Sequence, residues 1–172
     1  MASISRRGFL KIGGGVAAGV AIGLPELTQA ATSTPAVEGR VNLPYQMKAI
    51  TKAQKLQVNT PVQFSYPDAA SPCALIKMGA PVPGGVGPER DIVAYSTLCT
   101  HMGCPVAYDP GRKLFKCPCH FSIFDAENIG QMFSGQATEH LPSIEKEYNP
   151  KNEWVSALAM EGLIYGRQSN LL

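Results

Sequence analysis

Two short stretches of this chain are built alike. The first reads Cys99-Thr100-His101-Met102-Gly103-Cys104, and after twelve residues comes Cys117-Pro118-Cys119-His120-Phe121-Ser122. One residue separates Cys99 from His101 and two separate Cys117 from His120, so each stretch can present a thiol and an imidazole to a single inorganic centre. Thiolates suit ferric iron and stay bound across a change of oxidation state, whereas neutral imidazoles remove negative charge from one metal and raise its potential. A structural zinc site also takes Cys and His, but four of these six side chains would complete it and two thiols would be left over. Two plain disulfides would leave both histidines without a role.

The rest of the chain must hold two such loops next to each other, and its composition favours strands and turns for that task. The 17 glycines and 14 prolines gather in loops such as Pro81-Val82-Pro83-Gly84-Gly85-Val86-Gly87-Pro88, which points to short strands joined by turns. Six runs are strand-like by alternation or by β-branched and aromatic content: 62–66, 74–78, 91–95, 144–148, 154–158 and 163–165. The expected class is antiparallel β. Residues 45–56 read equally as a short helix or a strand, and 96–135 reads as loop-rich, with four of the five cysteines. Cys73, in a strand-like run, is most simply a small buried apolar residue. His140, outside both stretches, reads as a surface or turn residue.

The N-terminus is an address. Ser5-Arg6-Arg7-Gly8-Phe9-Leu10-Lys11 precedes an apolar run from Ile12 to Leu24 containing five glycines, then Pro25 and Thr28-Gln29-Ala30-Ala31. This resembles a twin-arginine export signal with a cut after Ala30, which places the mature protein in the periplasm. The organisation expected is a signal over 1–31 and one domain over 32–172, the domain beginning with a Thr/Ser/Pro/Ala tether to about Gly39. Thirteen apolar residues fall short of the ~20 that span a bilayer as a helix, so no stable membrane span is expected. Residues 32–172 balance twelve basic against twelve acidic side chains. Without a basic run there is no electrostatic footprint for nucleic acid, and docking on another protein is the expected contact.

The spacing of the two loops resembles the Rieske family, in which Cys-x-His is followed some fifteen residues later by Cys-x-x-His; fifteen residues separate His101 from Cys117 here. The resemblance implies an all-β Rieske fold, an antiparallel β sandwich or barrel-like base with a small inserted cluster-binding subdomain at about 96–135. It implies one Rieske 2Fe-2S cluster, with Cys99 and Cys117 on one iron and His101 and His120 on the other through Nδ1. It also implies a disulfide between Cys104 and Cys119 that ties the loops together. Ser122 matches a serine whose hydroxyl raises the cluster potential in high-potential members, and Phe124 stands where quinol-oxidising members have a donating Tyr. The implied potential is therefore intermediate, within the family span of about −150 to +300 mV.

Beyond the loops, Gly135-Gln136-Ala137-Thr138-Glu139-His140-Leu141-Pro142 and Gly162-Leu163-Ile164-Tyr165-Gly166-Arg167-Gln168 look like the small subunit of arsenite oxidase. That likeness implies a heterodimer with a large molybdenum-containing catalytic subunit. It also implies a soluble c-type cytochrome or azurin as acceptor, and no catalytic residue in this chain. The nearest rival is the Rieske subunit of a quinol-oxidising cytochrome complex. A free Rieske ferredoxin and a zinc-stabilised binding module are more distant.

Overall fold

The computed structural model describes residues 42–167 and Asn170, so the signal and most of the tether lie outside the described residues. Six strands form the base: β1 (Asn42–Lys52), β2 (Val62–Ser65), β3 (Pro72–Lys77), β4 (Ile92–Ser96), β9 (Ser143–Asn149) and β10 (Trp154–Glu161). They make one antiparallel sheet in the order β1-β10-β9-β4-β3-β2, curled where β10 slips register against both neighbours. Between β4 and β9 the chain leaves the base and builds a second antiparallel sheet from β5 (Ala107–Asp109), β6 (Leu114–Lys116), β7 (Ile123–Asp125) and β8 (Gln131–Ser134), in that order. The insertion expected from the family resemblance is this second sheet.

Alternation along β3 and β4 explains how the two sheets are joined. Cys73, Leu75, Ile92 and Ala94 turn into the base core with Tyr66, Ile144, Val155 and Met160. Their neighbours Ala74, Ile76, Val93 and Tyr95 turn the other way, onto Phe115 and Phe124 of the inserted sheet and onto Cys99 and Cys117. Both faces are thus buried, which is why these strands read as continuous apolar runs. Tyr95 bridges the layers: its ring meets Phe115 edge-on at 5.7 Å and its hydroxyl donates to the Ala126 carbonyl at 2.9 Å. Burying Phe115 and Phe124 fully contributes about 1.5–3 kcal/mol each.

Three expectations are corrected or settled. Residues 45–56 are strand to Lys52, followed by a 3-10 turn at Ala53–Lys55. The loop-rich reading of 96–135 missed β5 to β8, which at three or four residues are too short to show alternation. The run 163–165 is not a strand: Gly162 and Gly166, both at positive φ, bracket it. There the Asn170 side chain replaces a partner strand, accepting from Ile164 N–H at 2.7 Å and donating to its carbonyl at 3.2 Å.

Candidate metal centre

Each of the two stretches folds into a tight tip with the same backbone wiring. In the first, Cys99 N–H donates to the Cys104 carbonyl (2.8 Å) and Gly103 N–H donates back to the Cys99 carbonyl (2.7 Å). In the second, Cys117 N–H donates to the Ser122 carbonyl (2.8 Å) and Phe121 N–H to the Cys117 carbonyl (3.1 Å). The fifth residue of each tip has a left-handed backbone, φ +76° at Gly103 and +59° at Phe121. Two copies of one loop therefore face each other, and a disulfide between Cys104 and Cys119 joins them.

The four candidate ligands converge in two pairs. Cys99 and Cys117 are buried and their thiols hydrogen-bond to one another, while His101 and His120 lie outward with Nδ1 atoms 3.1 Å apart. Two nitrogens sharing a tetrahedral metal at about 2.1 Å would stand about 3.4 Å apart, so the imidazoles already have nearly the spacing of a shared ion. Burial pushes the Cys99 thiol up, and Cys117 adds to this; the His101 N–H and the Ser122 hydroxyl donate to its sulfur and oppose the rise. A buried thiol with such donors around it is ready to be a thiolate once a cation takes the place of its proton. The donor set, two inner sulfurs and two outer Nδ1 atoms, fits a mixed-ligand iron pair. Cys117 Sγ also lies within 4.8 Å of the Cys104 and Cys119 sulfurs. Those two are joined to each other, so this contact is the disulfide packing against a ligand sulfur and not a three-thiol site.

Support comes from two segments whose structural part was not legible in the sequence. Residues 135–139 form a third wall: Ala137 N–H donates to the buried Ser122 Oγ at 3.0 Å, which leaves the hydroxyl proton free to point at the sulfurs. Gly135 sits so close to Ser122 that a Cβ there would fall 2.4 Å from its Cα. The Thr100 hydroxyl donates to the Glu139 carbonyl at 2.8 Å. From the other side Gly166 presses on the first tip, as described below. Phe124 is fully buried beneath the tips, with no hydroxyl to offer.

The remaining candidates are quiet. Cys73 is buried in the base, its thiol directed at the Tyr66 and Ser71 carbonyls and pushed up to about 12 by burial, which makes it inert. His140 is exposed, its Nδ1 accepting from Met132 N–H at 3.2 Å. It lines a cleft with Glu139, Glu161 and Tyr165, beside the tips and separate from the ligand pairs. Among the described residues no helix is long and apolar enough to cross a membrane.

A β base carrying an inserted sheet whose two tips pool cysteines and histidines defines a class of iron-sulfur proteins. The chain belongs to the Rieske [2Fe-2S] domain family, whose model matches residues 46–145, and its cofactor is one Rieske 2Fe-2S cluster. Residues 3–23 match the twin-arginine translocation pathway signal, so the protein is exported to the periplasm. Over 98% of its length the chain is 37% identical to the iodate reductase subunit IdrB of Denitromonas iodatirespirans, covering 88% of that protein. It is 34% identical to the IdrB subunit of Pseudomonas sp. strain SCT, again over 98% of the chain and covering 85% of that relative. The soluble domain of Rieske protein II (soxF) from Sulfolobus acidocaldarius shares the fold, with a TM-score of 0.65 at 21% identity over 74% of this chain and 84% of that one.

Proposed function

We propose that this chain is the electron-transfer small subunit of a periplasmic molybdenum oxidoreductase, with Cys99 and Cys117 holding one iron and His101 and His120 the other. The observation that carries the reading is the ordering of the ligand pairs: sulfurs buried against the inserted sheet, imidazoles turned outward at an exposed tip. When bound, the cluster stores one electron. The chain's own residues hold it dry on the sulfur side and offer an imidazole edge as the route in or out. Ser122 donating and Phe124 silent favour an intermediate potential.

The partner proposed is a large molybdenum-containing subunit that carries out the substrate chemistry. The sequence likeness to arsenite oxidase makes arsenite the first substrate to test. Arsenite gives up two electrons as it takes oxygen from water to become arsenate, so the small subunit would pass single electrons twice per turnover, to a soluble c-type cytochrome or azurin. A second reading has its own support, since relatives matching almost the whole chain are iodate reductase subunits. There electrons would enter through the small subunit and leave to iodate. Anchored quinol oxidation fits less well, because the similarity extends across these relatives and not only through the cluster loops.

The native protein, purified from the periplasm and analysed for metals, should bring a large subunit with molybdenum, together with iron and acid-labile sulfide in the small one. Arsenite should then reduce the small subunit in the complex, or iodate should reoxidise it, and which occurs fixes the direction. Zinc in place of iron, or the absence of a molybdenum subunit, would overturn the proposal.

A further inference from the structure

The two tips differ at one equivalent position in a way that their fold does not require. Gly103 and Phe121 have the same hydrogen-bonding role and the same left-handed backbone. Glycine adopts that conformation freely, whereas a bulky side chain there is an outlier. Phe121 is nonetheless present, and its ring is not used for packing: the residue is 77% exposed. Two unfavourable features, backbone strain and a solvated aromatic ring, thus coincide on the residue next to His120. In the first tip the residue that follows His101, Met102, is also solvated, at 68% exposed. Residues 99–104 and 117–122 include no Asp, Glu, Lys or Arg.

We propose that Phe121, with Met102 as a second contact, anchors the tip in an uncharged apolar socket on a stably bound redox partner subunit. This rests on the reading of the chain as one subunit of a larger oxidoreductase. An aromatic ring that fills a well-packed pocket buries a large apolar area and can anchor a protein interface. The absence of charge favours a permanent partner over a soluble carrier. Carriers that must find and leave their site use complementary charge to speed encounter, while permanent interfaces are the more apolar ones. Met102 is suited to the edge of such a contact, because its flexible thioether adapts to the surface it meets.

The test uses Phe121→Gly, which removes the anchor while giving the backbone its preferred residue. In the isolated holo-subunit this variant should melt at the parental temperature or above, with an unchanged spectrum of the reduced cluster. Its affinity for the large subunit should fall about tenfold or more, with a smaller loss for Met102→Ala. Wild-type affinity should hold when salt rises from about 0.1 M to about 1 M. The proposal is overturned if Phe121→Gly binds the large subunit as wild type does, if it melts lower, or if wild-type binding collapses in salt. It is also overturned if the heterodimer survives and only transfer to a soluble carrier slows, which would make the tip the carrier's face. Failure of the wild-type chain to capture any large subunit is a separate result, because it removes the proposed function and this inference with it.

Discussion

The two ligand tips share a backbone and differ in what surrounds them. The first is pressed between the inserted sheet and the segment leaving β10: a Cβ on Gly103 would lie 2.4 Å from the Gly166 Cα and 2.7 Å from its nitrogen. Glycine is obligatory there on two counts, φ and space. The second tip has the same φ but faces outward at the same position, so a side chain is tolerated and only the backbone strain remains. One loop design therefore serves as a wedge on one side and as a presenting surface on the other, and the environment, not the loop, decides which residue it can carry.

The largest expected effect tests whether the tips act as one site. His101→Ala and His120→Ala should each abolish the low-g-average paramagnetic signal of the reduced protein and remove bound iron and sulfide. Loss of the signal in one variant only would mean the imidazoles do not share a centre. Next comes the wedge. Gly103→Ala should cost about 4 kcal/mol in urea unfolding, from strain plus overlap with backbone that has nowhere to go. Phe121→Gly, by contrast, should lie within about 1 kcal/mol of the parent on the stabilising side. Equal effects at the two positions would refute the contrast.

Replacing both Cys104 and Cys119 by Ser should cost about 2–3 kcal/mol, because the link closes a loop of separation 15 in the unfolded chain. Cluster loss during thermal unfolding should then begin at lower temperature. A smaller change is expected beneath the second tip. Phe124→Tyr should raise the potential by about 40 mV if the added hydroxyl donates to a ligand sulfur about 1 kcal/mol more strongly in the reduced state. A voltammogram with no upward shift would count against the tuning argument.

The smallest effect belongs to the first tip alone. Arg167 follows Gly166 and is latched to Asp68 Oδ2 and Ser71 Oγ, each at 2.7 Å. Burial works to raise the Asp68 carboxyl, but the Ser71 hydroxyl, Arg167 and the Ala70 amide outweigh it and hold the carboxyl low. The stability this contributes is present above the ordinary carboxylate value of about 3.9 and is lost as pH falls through the lower folded value. Arg167→Gln should thus melt below wild type at neutral pH by an amount equivalent to about 1 kcal/mol or less. In melts at successively lower pH the gap should close; a gap that widens in acid would contradict the assignment.

What the sequence determined by itself was chemistry fixed over short separations: the Cys and His spacings, the export signal, and the strand runs at 62–66, 74–78, 91–95, 144–148 and 154–158. Those patterns are local, because a loop of six residues or a strand of five expresses its role within its own length. Only the tertiary structure decided the rest. It showed that β3 and β4 separate two cores, that strands of three or four residues assemble a second sheet, and that Asn170 takes the place of a strand partner for Ile164. It also placed Gly166 against Gly103 and Ala137 N–H on Ser122, and set the exposure of Phe121. Each of these depends on groups brought together from distant parts of the chain, and no local periodicity records which neighbour a residue will meet.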